Sequence, residues 1–398
     1  MPLRQINAKL STILTKFASN LPPMYDLHDF LIPIDIHALN QDSGYNDGQL
    51  AKHIVGYNTE IPDVAAIDIV LVGIGETRGA GIFSDDFKAA DSIRRQLYQL
   101  HYWHFDTTVA DFGNIKTGAT LKDSYAAIKT VLAELIKMKK TVILLGGTHD
   151  ITLAQFLAYK ELGMVVEATC IDACIDLRNE SALRSENFLL EMLTSDPSVI
   201  SHYSHIGFQS YYIHPRMIET MDKLRFDCYR LGVAKENMEE MEPVLRNTSL
   251  LSFDISAIKY SDAPANKKSP NGFTGEEACM IARYAGMSSR LSSFGVYGYD
   301  PQNDVNELTA MQIAQMLWYF IDGKSRNKQE ASFEDRTHFN EFNTVVAEVA
   351  TVFLQSRRTN RWWMQLPNNK WIPCSHRDYQ LTSQNEIPER WLREQERS

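Results

Sequence analysis

Thr141-Val142-Ile143-Leu144-Leu145-Gly146-Gly147-Thr148-His149-Asp150 is the stretch that decides how this chain folds. Its first residues are apolar or β-branched without interruption, as a strand buried on both faces requires. The two glycines end the strand and deliver Thr148-His149-Asp150 at its carboxyl end. Upstream, residues 121–139 carry Ala126, Ile128, Val131, Leu132, Leu135 and Ile136 on one helical face. Downstream, residues 151–162 read as a second helix.

The same grammar recurs on either side. Buried strands are predicted at residues 66–74, 168–171, 249–253 and 293–297, with a further helix at 275–287. Strands alternating with helices imply an α/β fold, a mostly parallel central sheet covered on both faces in three α/β/α layers. Four strands end in polar clusters: the one at His149, Asp172-Ala173-Cys174-Ile175-Asp176, Ser252-Phe253-Asp254-Ile255-Ser256 and Tyr297-Gly298-Tyr299-Asp300-Pro301. Ligands of such sheets sit beyond the carboxyl ends of the strands, where these clusters fall.

The flanks differ in character. Residues 1–65 are expected to be a helical extension packed on the core, with a helix over 6–21 ended by Pro22-Pro23. Residues 66–322 form the α/β domain. Residues 323–398 form a C-terminal extension, read as a charged loop at 325–336 and an amphipathic helix at 339–354. It ends in a segment with Trp362, Trp363, Trp371 and Trp391. These tryptophans either dock the tail by aromatic burial or form a partner surface.

Composition excludes several classes. The 398 residues are 44% hydrophobic and 23% charged, an ordinary globular balance. A net charge of −10 without any long Lys/Arg run argues against nucleic acid. No apolar run reaches bilayer length and residues 1–22 lack a secretory signal, so the expectation is a soluble cytoplasmic protein with no membrane partner. Five cysteines have no disulfide spacing, and Cys170 and Cys174 lack the second pair of a zinc ribbon. Gly73, Gly75, Gly79 and Gly81 follow a strand without the Lys-Ser/Thr of a P-loop, which fits a tight strand-to-helix connection.

His149, Asp172, Asp176 and Asp254 offer one imidazole and three carboxylates from three strand ends. A divalent ion such as Mn²⁺ suits that donor set and would offset repulsion among the carboxylates. Any one of these residues alone could be a helix cap or a packed polar group. Four on successive strand ends point to a site. The pairs His101/His104 and His202/His205 read as packed or surface polar structure, and Asp304 as support for a loop.

With these motifs the sequence resembles the ureohydrolase family of arginase, agmatinase and formimidoylglutamase. Members carry Gly-Gly-Asp-His, Asp-Ala-His-x-Asp and Ser-x-Asp-x-Asp on consecutive strand ends of an arginase-like α/β/α sheet. The resemblance covers residues 66–322 and includes Ala90-Asp91-Ser92-Ile93-Arg94-Arg95, similar to the family's Gly-Pro-x-x-Ile-Arg. Arg178, two residues after Asp176, is similar to the formimidoylglutamase branch.

The resemblance implies two Mn²⁺ ions sharing a hydroxide that attacks a guanidinium or amidine carbon, in a homo-oligomer. Carried over, the first ion falls to His149, Asp172, Asp176 and Asp254, all retained. The second shares Asp172 and Asp254, but its own His is here Cys174 and its own Asp is Ser256. The family's guanidinium-gripping Glu is here Gly298. The proton-shuttling His of the loop after the second motif is missing, with Leu183-Arg184-Ser185-Glu186-Asn187-Phe188 in its place. Thr148 replaces the Asp of Gly-Gly-Asp-His, and Asp150 follows the His instead. Arg178, Arg184, Gly298 and Asp300 are therefore the candidate substrate positions.

The expectation is a degraded binuclear site holding at most one Mn²⁺ ion, a pseudoenzyme that binds a small molecule without ordinary guanidine hydrolysis. One alternative is an active hydrolase of a linear amidine such as formimidoylglutamate, with Cys174 or Asp300 in an altered role. Another is a scaffold protein whose Trp-rich tail binds a partner.

Overall fold

The computed structural model describes residues 26–40, 44–83, 86–346 and 348–397. The helix expected over residues 6–21 lies outside them. What is described of residues 26–65 is not α-helical. Pro33, Pro62 and the glycines at 44, 48 and 56 leave it in 3-10 turns and two short strands, β1 (Leu31–Ile32) and β2 (Val55–Gly56).

Strands and helices then alternate. β3 (Ile69–Ile74) leads to α1 (Lys88–Gln99), β4 (Val109–Ile115) to α2 (Leu121–Lys137), β5 (Thr141–Leu145) to α3 (Ile151–Glu161), and β6 (Val166–Ile171) to α4 (Phe188–Leu193). β7 (Ile200–Phe208), α5 (Pro215–Lys223), β8 (Asp227–Arg230), α6 (Leu231–Glu236) and α7 (Met241–Arg246) follow. β9 (Leu250–Asp254), α8 (Gly275–Gly286), β10 (Ser293–Tyr297) and α9 (Leu308–Lys328) complete the domain.

The strands form one sheet in the order β1-β4-β3-β5-β10-β9-β6-β7-β8, with β2 beside β4. Among the described residues every pairing is parallel except β1 with β4. All six residues of β3 are buried, and their side chains alternate between two cores. Ile69 and Leu71 join the layer of Ile93, Ile281 and Leu317, whereas Val70 and Val72 join that of Val131, Leu135 and Phe156. Three layers result, as the apolar strands predict. Arg94, fully buried in α1, donates Nε and Nη2 to Asp111 of β4 at 2.8 and 3.0 Å and fixes that helix to the sheet.

The C-terminal extension departs from expectation. α9 runs through residue 322 to Lys328, so it crosses the expected domain boundary and takes the start of the expected loop. Residues 339–354 are a hairpin, not a helix: β11 (Phe339–Val346) pairs antiparallel with β12 (Val349–Ser356). Phe339, Phe342 and Val346 have helical spacing, but Thr344, Val345, Val349, Thr351 and Val352 are β-branched and pack better across a pleated pair. β13 (Trp362–Gln365) and β14 (Trp371–Cys374) extend this meander, and α10 (His376–Ser383) and α11 (Glu389–Arg397) lie against it. Trp362, Trp363 and Trp391 are buried and Trp371 half-buried. Arg246 joins the two units: its Nη1 donates to the Trp362 carbonyl at 2.6 Å, and its guanidinium lies 4.6 Å from the Trp363 ring centroid. Among the described residues no helix is long and apolar enough to cross a membrane.

Candidate metal centre

β5, β10, β9 and β6 are neighbours in the sheet, and all run the same way, so their four clusters meet at one pole. Gly146 and Gly147, at φ +87° and +80°, turn the chain sharply there and set His149 at the start of α3. Asp172 leaves the end of β6, Asp176 follows one short loop later, and Asp254 ends β9.

His149, Asp172 and Asp176 converge. His149 Nδ1 lies 2.8 Å from Asp176 Oδ2 and 3.3 Å from Asp172 Oδ2. One donor atom from each of the three falls within 4.8 Å of the others, and all three side chains are buried. The other imidazole nitrogen is engaged elsewhere: Nε2 is 2.9 Å from Ser252 Oγ, which is itself 2.5 Å from Thr152 Oγ1. That contact orients the ring so that Nδ1 faces the carboxylates, as a metal-binding histidine requires.

Asp254 lies at the same pole but outside this group of three; its Oδ1 accepts from the Ser256 amide at 2.8 Å. The electrostatics show how crowded the carboxylates are. Burial and the Asp172 charge raise Asp176 to about 7 and Asp254 to about 6. Burial opposes ionisation of Asp172 too, but His149 and Ser256 outweigh it and lower that carboxyl to about 2. For His149, burial disfavours the cation, and the hydrogen bonds to Asp172 and Asp176 overcome it, holding the proton well above the ordinary range. In this arrangement a proton holds the pair together where a divalent cation would fit. An N/O donor set of this kind matches Mn²⁺.

The place of a second ion is built differently. Asp172 Oδ1 accepts from the Ser256 hydroxyl and, at 3.1 Å, from the Cys174 amide. The half-buried Cys174 thiol is pushed up to about 12, first by burial and then by Asp172, with Lys268 as a hydrogen-bond partner. A neutral hydroxyl and a soft thiol are poorer ligands for a hard ion than the carboxylate and imidazole that the resemblance implies. Gly298 has φ +78°, and a Cβ there would stand 2.6 Å from Asp254 Oδ2.

The remaining candidates are engaged by partners outside the cluster. Arg178 pairs with Glu186 at 3.5 Å, Arg184 pairs with Glu191, and Asp300 faces Lys267 at 3.5 Å while capping the turn at Gln302. Asp150 is fully buried, bonded to Tyr125 at 2.5 Å and Thr148 at 2.7 Å. Its carboxylate fills the space over Gly79, where a Cβ would lie 2.0 Å away, so the glycine-rich loop is a close-packed connection. Sequence reasoning gave no role to Ser252, Thr152 or Lys268. His205, read as packed polar structure, reaches the Asp172 carbonyl at 3.1 Å with its pKa pulled down by burial to about 4. Only the Ser252 cluster carried a signal, its place at a strand end.

Known proteins share this fold. A sequence model of the arginase family matches residues 67–322. Formimidoylglutamase of Staphylococcus haemolyticus is 23% identical over 248 residues, covering 59% of this chain and 78% of that protein. The Macrococcus caseolyticus enzyme of the same name is 20% identical over 302 residues, 72% of this chain and 94% of its own. Among solved structures, Trypanosoma cruzi formiminoglutamase with Mn²⁺ superposes with a TM-score of 0.59 at 15% identity, covering 67% of this chain and 96% of that one. Bacillus subtilis formimidoylglutamase gives 0.61 at 18%, covering 72% and 95%. The chain belongs to the arginase family of ureohydrolases, near its formimidoylglutamases.

Proposed function

We propose that this protein keeps one half of a binuclear ureohydrolase site. It holds at most one Mn²⁺ ion, through His149, Asp172, Asp176 and Asp254, and binds a small molecule without ordinary guanidine hydrolysis. The observation that carries this reading is the Ser256 hydroxyl on Asp172 Oδ1, joined there by the Cys174 amide. That oxygen is spent on neutral donors where a second ion would need it. A bound ion would supply Lewis-acid polarisation of a ligand oxygen or nitrogen. The chain's own groups would orient it: Ser252 fixes the His149 ring, and Ser256 fixes Asp172. We take the protein to be a cytoplasmic homo-oligomer, as the resemblance implies.

Metal analysis after purification in Mn²⁺ tests the proposal. One equivalent or less per chain is expected, with loss of binding in His149→Ala; two tightly held equivalents would overturn it.

A second reading is an active hydrolase of a linear amidine, favoured by the names of the curated relatives, which are formimidoylglutamases. Steady turnover of formimidoylglutamate that vanished in His149→Ala would establish it. Inactivity on formimidoylglutamate, arginine and agmatine would leave the first reading standing.

A further inference from the structure

We infer that His205 is a positioning residue of the metal centre: it clamps the peptide that follows Asp172 and so aims the Asp172 carboxylate at the ion. This role presupposes the metal site proposed above.

The need for a clamp arises in the backbone. β6 runs parallel to β7, with Cys170 opposite His205 and Ile171 opposite Ile206. Just beyond β6 the Asp172 amide still donates to the Ile206 carbonyl, at 3.2 Å. Continued regularly, the ladder would bring the Phe208 amide to the Asp172 carbonyl. β7 is irregular at that point. Gly207 stands at φ +96°, and the pairing with β8 skips from Ile206 to Phe208. The next amide to reach back is that of Gln209, which donates to the Ala173 carbonyl at 2.9 Å. Among the described residues no backbone amide donates to the Asp172 carbonyl, although Asp172 is buried. A buried carbonyl needs a donor from elsewhere.

His205 supplies it. Its Nε2 lies 3.1 Å from the Asp172 carbonyl oxygen, and its Nδ1 lies 3.0 Å from the Tyr203 hydroxyl. A carbonyl only accepts, so Nε2 carries the proton. In the neutral ring that burial favours, Nδ1 then accepts from Tyr203, whose ring is buried as well. The other edge of the same peptide is also held: the Ala173 amide donates to Ser256 Oγ at 3.3 Å. A planar peptide fixed at its carbonyl and its amide cannot turn. Asp172 Oδ2 is thereby kept 3.3 Å from His149 Nδ1, and Oδ1 within 3.1 Å of the Cys174 amide. Partners that orient ligands in this way are worth about 10–100-fold in metal affinity.

Calorimetric titration of the full chain with Mn²⁺ tests the role. His205→Leu, which removes the donor, should weaken Mn²⁺ binding by about 10–100-fold. His205→Gln, whose side-chain amide can donate from the place of Nε2, should recover most of that loss. Tyr159→Phe serves as the structural control. It deletes a buried hydroxyl that donates to the Ser249 carbonyl at 2.6 Å, at the end of β9 remote from Asp254. It should lower the melting temperature and leave Mn²⁺ affinity unchanged. If His205→Leu does not fold, Tyr203→Phe, which keeps the imidazole but frees Nδ1, should weaken Mn²⁺ binding in a folded protein. The role is overturned if the Leu variant, or Tyr203→Phe in its place, binds like wild type. It is overturned equally if Gln is as weak as Leu, or if Tyr159→Phe weakens binding as much. Wild type that takes up no Mn²⁺ overturns the metal site itself and this role with it, whereas wild type and His205→Leu that bind alike overturn the role alone.

Discussion

Asp254 Oδ2 stands 2.6 Å from the point that a Cβ on Gly298 would occupy, and Gly298 is held at φ +78°. The glycine lets the chain leaving β10 pass over the carboxylate that ends β9. A longer side chain meets two obstacles there. A left-handed conformation costs a residue with a Cβ about 1–2 kcal/mol, and Asp254 must move. Gly298→Glu is therefore expected to lower the melting temperature by roughly 1–3 °C and to reduce Mn²⁺ retention, without producing arginine hydrolysis. A variant that melts like wild type and turns over arginine would contradict this steric account.

Restoring the second ion's own ligands should behave oppositely in the presence and absence of metal. Ser256→Asp puts a carboxylate against Asp172, where the hydroxyl now donates a hydrogen bond. In chelator, two buried like charges destabilise the fold by about 2–4 kcal/mol. With Cys174→His added, Mn²⁺ should reverse the loss and raise the bound metal above one equivalent per chain. Thermal melts in EDTA and in Mn²⁺, with metal analysis, give the answer; equal melts in both conditions would count against it.

These residues also show how far sequence alone reaches. β5 and β10 were legible because an unbroken apolar run has one common fate, a strand buried on both faces. The carboxyl-end placement of His149, Asp172, Asp176 and Asp254 followed from strand order. Distances did not follow: nothing local says that Asp254 falls outside the group that His149 Nδ1 draws together. Ser252 touches His149 across 103 positions of sequence, a contact that exists only once β9 lies two strands from β5. The 339–346 segment misled because Phe339, Phe342 and Val346 fit a helical period, and only pairing with 349–356 reveals the strand.

Proton and metal should compete for the same three residues. His149 is raised above its unfolded value of about 6.5, so its stabilising contribution is complete below that pH and is lost as pH rises through the folded value. Asp176, raised to about 7, favours the folded state in the same direction, its contribution falling between an unfolded value of about 3.9 and that point. Metal-free protein should therefore lose stability as pH rises, through Asp176 between about 3.9 and 7 and through His149 above neutrality. Mn²⁺ must displace the shared proton, so its affinity should climb by up to about tenfold per pH unit. Titrations in buffers of different ionisation enthalpy should detect at least one proton released per ion. Affinity that is flat from pH 6 to 8 would show that the His149–Asp176 proton is not the competitor.

At the far edge of the sheet, Asp227 on β8 gathers Arg393 at 2.5 Å, Arg397 at 2.8 Å and His202 at 3.0 Å, and so ties α11 to the core. Burial opposes its ionisation, but His202 and Arg397 outweigh this and hold the carboxyl well below the ordinary range. Asp227→Asn would leave three cationic or protonatable groups facing one another. Removing one partner of a buried pair costs about 3–5 kcal/mol, and partial exposure of Arg393 brings the expected loss to about 2–3 kcal/mol. The sign with pH follows from the depressed carboxyl. Its contribution is present above an unfolded value of about 3.9 and disappears as pH falls through the folded one. Wild type and variant should thus differ steadily between pH 6 and 8, and the gap should narrow below pH 4. A gap that persisted undiminished as the carboxyl became protonated would assign the loss to packing instead of charge.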